Sequence, residues 1–209
     1  MARWMVLLIV LGALASRGSA LAASPMDPPG ATCGDPAGMT LAHSGLGRVY
    51  VVGHWAYGCV DGAERLVRLG SDGVCPGFAH FGPVAVTGEV AAYASRTCGV
   101  DTAITVVIVR RLSDGRVISS DSATDVSTGP ESFQSVGSIV VRSGGAVAWI
   151  GSSDSIATHH RLTEVLEHSG GSVRRLDQGS AIQAGSLRLR GSTLTWQHGL
   201  TRRSAALNR

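Results

Sequence analysis

The chain has 209 residues, 18 Lys+Arg against 15 Asp+Glu, and only 5% aromatic residues. Every basic residue is arginine, so Gly-x-x-x-x-Gly-Lys phosphate loops and Ser-x-x-Lys catalysis are excluded outright. The arginines read as scattered and mixed with acids, which argues against a nucleic-acid partner, since that partner calls for a basic stripe.

The N-terminus reads as an export signal. Arg3 is followed by an apolar run from Met5 to Ala15, and Ala20-Leu21-Ala22 forms a small-x-small cleavage site. The run is shorter than the roughly 20 residues that span a bilayer. Residues 1–23 are therefore expected to leave, giving a secreted or extracytoplasmic protein that does not stay with the membrane. Arg3 and Arg17 go with them, so 16 Arg remain against 15 Asp+Glu. Residues 24–38 are rich in Pro and Gly and read as a flexible segment. Residues 39–209 form the folded domain.

Cys33, Cys59, Cys75 and Cys98 are an even set in an exported chain, which predicts two disulfides with three pairings open. Their spacings do not match the close ligand pairs of a zinc site, and neither a metal nor a cofactor is expected.

Strands are predicted throughout. Arg48–Val52 and Arg65–Leu69 lie either side of a loop, Gly53–Gly62. Val84–Val86, Glu89–Ala94 and Ile104–Leu112 follow, with Cys98 in a loop, then Arg116–Ile118. A polar connector, Ser119–Ser132, leads to the strongest stretch, Ser138–Asp177. There Ile139–Arg142, Ala146–Ile150, Thr163–Glu167 and Ser172–Leu176 are separated by glycine pairs, the mark of antiparallel strands with tight turns. Ser186–Arg190, Thr193–Trp196 and Arg203–Leu207 end the chain. Four times a short strand, a Gly-containing turn and an apolar strand recur, at Val49, Val90, Val147 and Leu194. Such recurrence predicts an all-β fold of three to four units, each burying its face on the next.

The stretch 88–115 and the run 185–207 resemble the blades of exported bacterial β-propeller-like proteins, in the broad sense that covers TolB-like and WD-repeat propellers. The resemblance is architectural. No Trp-Asp blade signature and no complete Asp box is present, so it implies a scaffold and transfers no functional residue. It implies three to four antiparallel blades in a small closed ring or an open arc; a β-sandwich is the alternative.

Two loops are candidate sites. In Gly53–Asp61, His54, Trp55 and Tyr57 gather in an aromatic-poor chain; they offer rigid contact area to a sugar or protein, or cover a disulfide at Cys59. In Ser152–His160, Asp154 and His159 offer an acid and a base, although adjacent His159 and His160 on a strand would face opposite ways. Trp149 and Trp196 occupy matched positions and read as packing residues between units. In Arg110-Arg111, Arg174-Arg175 and Arg202-Arg203, one arginine points inward and one outward. The expectation is an exported, non-catalytic module binding a protein or cell-surface glycan. The alternatives are a small lyase or glycan hydrolase with its site in the blade loops, and a structural domain that completes a ring by self-association.

Overall fold

The structure is a computed structural model that describes residues 33, 38–63, 65–71, 81–125 and 132–208. Its described residues are all-β, and among them the strands form three sheets, none closed into a ring or barrel. The first sheet is a meander of β1 (Met39–His43), β2 (Gly47–Val52), β3 (Trp55–Val60) and β4 (Leu66–Ser71). The second has eight strands and is two meanders joined. One holds β5 (Val84–Thr87), β6 (Val90–Cys98), β7 (Ala103–Arg111) and β8 (Val117–Ser122). The other holds β9 (Ser132–Val141), β10 (Val147–Ser155), β11 (Arg161–Ser169) and β12 (Ser172–Gln178). A single parallel pairing, Ala103 with Phe133, links them. The third sheet is β13 (Arg188–Arg190), β14 (Thr193–His198) and β15 (Thr201–Ala206).

The described strands group into four meanders, called units below, against an expectation of three to four, and they pack face to face in chain order. Val49, Ala56, Val67 and Leu69 of the first meet Ala91, Tyr93 and Leu112 of the second. Val90, Ala92, Val107 and Val109 of the second meet Ile139, Val141, Val147, Trp149 and Leu166 of the third. Ala146, Ala148, Ile150 and Val165 of the third meet Leu187, Leu194, Trp196 and Leu207 of the fourth. Three cores therefore lie in series, where a two-sheet sandwich would have one.

This arrangement explains the sequence of the middle strands. Side chains alternate faces along a strand, so a strand covered on both sides must be apolar at every position. In β10, Val147 and Trp149 point into one core while Ala148 and Ile150 point into the next, and all four are fully buried. In β6, Val90 and Ala92 face forward while Ala91 and Tyr93 face back. Small residues let the sheets approach closely. A Cβ at Gly151 would fall on the carbonyl oxygen of Ala123, and one at Gly58 would meet the Leu112 side chain.

Hydroxyls stitch each unit to the next through a backbone carbonyl. Ser44 Oγ donates to Gly88 O (2.9 Å), Thr87 Oγ1 to Val141 O (3.0 Å) and Ser138 Oγ to Ala184 O (2.6 Å). A buried indole does the same, Trp149 Nε1 donating to Ala123 O at 2.9 Å.

Several sequence expectations change, among them the polar connector Ser119–Ser132, whose first residues pair with β7 and complete β8 to Ser122. Gly53–Gly62 is not a loop: a Gly53-His54 turn, with Gly53 at φ 59°, leads straight into β3. Cys98 is the last residue of β6, not a loop residue. The first part of Ser152–His160 continues β10 to Ser155, because Ser152 pairs with Thr163 and the two hydroxyls hydrogen-bond at 3.2 Å, and the turn is confined to the residues after it. The phase of the repeat also shifts. The structural equivalents are Tyr50, Tyr93, Trp149 and Trp196, one aromatic on the second strand of every unit, each facing back along the stack. The predicted signal segment and most of residues 24–38 lie outside the described residues, as does Cys75.

Candidate functional site

The predicted site residues fall on separate units. In the first, Tyr57 is buried beside the Cys33–Cys59 disulfide and stacks on Tyr50 with ring centroids 6.0 Å apart. It covers the bridge and is not available to a ligand. Trp55 is half-exposed beneath the Arg68 guanidinium, which sits 3.3 Å from the ring centroid, so its face is occupied by a cation–π contact. His54 is exposed in the turn before it.

The second candidate pair lies at the β10–β11 tip in the third unit. Asp154 pairs with Arg161 across the hairpin, Oδ1 to Nε at 3.5 Å, and both are about half exposed. Exposed ion pairs of this kind contribute little. His159 occupies the turn with φ 51° and is exposed. The structure does not bring His54 and Trp55 together with Asp154 and His159, and among the described residues no three His, Cys, Asp or Glu side chains could hold a metal ion. Cys33 and Cys59 are bonded to each other, and Cys98 is also disulfide-bonded. The buried bridge is compatible with an extracytoplasmic protein.

Among the described residues, buried charge is concentrated in the third unit, in Glu164, Glu167 and Asp177. Glu164 accepts from Arg175 Nη1 (2.9 Å) and from the Asp125 amide (2.9 Å), while Glu167 accepts from Arg174 Nε at 2.8 Å. Arg174 and Arg175 thus serve opposite faces of β12, as adjacent strand residues must. Asp177 joins the third unit to the fourth. It accepts from Trp196 Nε1 (2.7 Å), binds His198 Nδ1 (3.0 Å) and the inward-pointing Arg203, and takes the Gln178 amide at 2.9 Å. Burial pushes the Asp177 carboxyl upward, but these hydrogen bonds and the Arg203 charge outweigh it and hold the group below the ordinary carboxylate range. A second pair, His168 Nδ1 to Asp121 Oδ2 at 2.8 Å, joins the second and third units. The aspartate–histidine pair at Asp177 superficially resembles the orienting half of a catalytic triad. The far edge of the His198 ring, however, packs against Gly179, where an added Cβ would lie 2.9 to 3.0 Å from Cε1 and Nε2. The network is a clamp between sheets.

The surface that stands apart is the outer face of the third sheet. Its inner face carries Leu194, Trp196 and Arg203; its outer face carries Arg188 and Arg190 on β13, Thr193, Thr195 and Gln197 on β14, and Arg202 and Ser204 on β15. Register places Arg188 beside Thr195 and Thr195 beside Ser204, with Gln197 beside Arg202. Short hydroxyl side chains down the centre and long arginines along both edges make a trough. It contains two adjoining depressions of about 590 and 530 Å³ that share Thr195 and Arg202. Arg202 Nη2 donates to Thr195 Oγ1 at 3.4 Å, and Arg188 Nη1 to the Gly185 and Leu187 carbonyls at 2.8 and 2.7 Å.

No acid lies nearby in the chain: residues 178–208 contain no Asp or Glu. The charge is therefore not evenly mixed along the sequence, as the composition first suggests. That acid-free run was the signal in the sequence that marks this face. No family model matches the sequence, and no curated protein matches it.

Proposed function

We propose that the chain is an exported, non-catalytic binding module, an open arc of propeller-like units that holds a protein or cell-surface glycan on the outer face of its third sheet. The observation that supports this reading is the trough itself. Arg188, Arg190 and Arg202 surround a column of hydroxyls and an amide, with no carboxylate of the same sheet to neutralise them. The sheet's backbone hydrogen bonds fix the strand positions from which these side chains project, although each exposed arginine still has to be ordered when a ligand binds. The enzyme alternative calls for acids and histidines from several units at one mouth, and the described residues offer Asp154 and His159 on one hairpin and His54 on another sheet.

The test is a binding screen of the mature chain against purified cell-surface glycans and proteins by biolayer interferometry, run beside an Arg188→Gln/Arg202→Gln variant. Saturable binding that the variant loses, at an unchanged melting temperature, is the expected result. Binding that survives in the variant places the ligand elsewhere, and release of a cleaved product moves the reading to the enzyme alternative. Light scattering of the same sample checks the self-association alternative, which requires twice the monomer mass.

A further inference from the structure

From the trough chemistry we infer that its ligand is an acidic polysaccharide, a chain of uronic acid sugars lying along the Thr193–Thr195–Gln197 column. The inference rests on the binding-module reading and names the ligand class for the same face.

Three features of the face select that class. First, the guanidiniums of Arg188 and Arg190 lie two residues apart on β13, with Arg202 diagonally across on β15. Residues two apart on a strand are about 6.6 Å apart and adjacent strands about 4.8 Å, so a polymer along the centre meets a cation on each side. A planar carboxylate is the group that a guanidinium fork binds through two parallel hydrogen bonds. Second, Thr193, Thr195, Ser204 and Gln197 provide hydroxyl and amide groups that both donate and accept, matching the hydroxyls of a sugar ring between its carboxylates. Third, exposed aromatic rings are missing from the outward positions of β13, β14 and β15, where the sequence places Arg, Thr, Gln, Ser and Ala. An uncharged glycan is held largely by stacking its apolar ring face on an aromatic, and a single-stranded nucleic acid by stacking its bases. Neither finds a platform here. Trp196 lines one depression but is 4% exposed and points its indole N–H inward to Asp177.

The inner side of the sheet fixes the outer one. Leu194 and Trp196 anchor β14 in the third core, and Arg203 is drawn inward by Asp177, which leaves its neighbour Arg202 facing out. Charge in the trough therefore comes from residues that the core does not need. Their removal is expected to change binding and not folding.

The test uses the mature chain and four probes of matched length: an octamer of galacturonic acid, a neutral glucan octamer, an oligodeoxynucleotide and an acidic peptide. Calorimetry at low salt is expected to show binding of the uronate, weakened about tenfold or more by Arg188→Gln/Arg202→Gln, as for lost charged hydrogen bonds. It is also expected to weaken strongly toward 1 M salt, where the screening length is about 3 Å. Thr195→Ala, which removes a hydroxyl at the centre, is expected to weaken it further without changing the melting temperature. If the glucan, the peptide or the DNA binds as tightly as the uronate and the double variant loses that binding, the ligand class is overturned while the binding surface stands. If uronate binding survives the double substitution, the surface is overturned as well. No heat of binding with the uronate overturns the inference directly.

Discussion

The two outward faces of the stack present opposite chemistry. The face of the first sheet that turns away from the second unit carries Tyr50, Tyr57 and Cys59, and the chain at Cys33 is bonded across it. The outward face of the third sheet carries arginine and threonine with no such cover among the described residues. Units of a stacked array bury their faces on one another, and an outermost face must be either covered or made polar. This chain does each once. Where a face is covered, its residues belong to stability; where it is polar, they are released from packing and can serve a ligand.

Substitutions on either side of this divide should differ in kind. The largest expected loss is on the inner side of the third sheet. Trp196→Ala empties a buried indole site and removes a donor from Asp177, and should cost about 3–5 kcal/mol, read by urea unfolding. Next comes the cover of the first sheet. Cys33→Ser/Cys59→Ser opens a link between residues 26 apart and should cost about 2–4 kcal/mol, with wild type and variant brought to one midpoint when reductant opens the Cys98 bridge in both. A full wild-type response to reductant confined to the second half of the chain would break the comparison.

Asp177 gives a smaller and pH-dependent effect. Its carboxyl is held below its ordinary value in the folded protein, so its contribution is complete above the unfolded value near 3.9 and is lost as pH falls through the lower folded value. Melting temperature should therefore be flat from pH 7 to about 5 and fall below about pH 4. Asp177→Asn should lower stability at pH 7 by about 1–3 kcal/mol and make the acid fall shallower. The smallest effect belongs to the polar face: Arg188→Gln and Arg202→Gln should each move stability by less than about 0.5 kcal/mol in urea titrations while weakening binding. A large loss of stability there would mean that the face is packed and not solvated.

Much of this was legible in the residues. The run Ala146-Val147-Ala148-Trp149-Ile150 announces a strand buried on both sides, whereas Thr193-Leu194-Thr195-Trp196 alternates and announces one buried on a single side. The turns at Gly144-Gly145 and Gly170-Gly171 were equally clear, and both are observed, with Gly145, Gly170 and Gly171 at positive φ. The inward–outward split of Arg202 and Arg203 also follows from period two alone. What was not legible came from pairing. Gly53–Gly62 reads as a loop because its glycines and polar residues lack β-propensity, yet six register pairs with β2 make it a strand. Tyr57 reads as either a binding residue or the cover of a bridge at Cys59, and the partner that decides between them, Cys33, is not legible from spacing. The aromatic at Tyr50, Tyr93, Trp149 and Trp196 was half visible as a tryptophan pair; the tyrosines are hidden because their flanking residues differ. The trough was missed because whole-chain charge averages away an acid-free segment of some thirty residues.

The alternation of β14 also bears on how such a chain can be lengthened by gene duplication. A copied meander inserted before β9 would find aliphatic neighbours ahead and behind, and could settle by repeating contacts that already exist. The same copy fused beyond Leu207 would have to seat valines and an indole against three guanidiniums, whose desolvation no carboxylate there offsets. Growth from the middle is thus permitted and growth onto β14 is resisted, so extra modules in longer relatives of this architecture should appear as internal insertions.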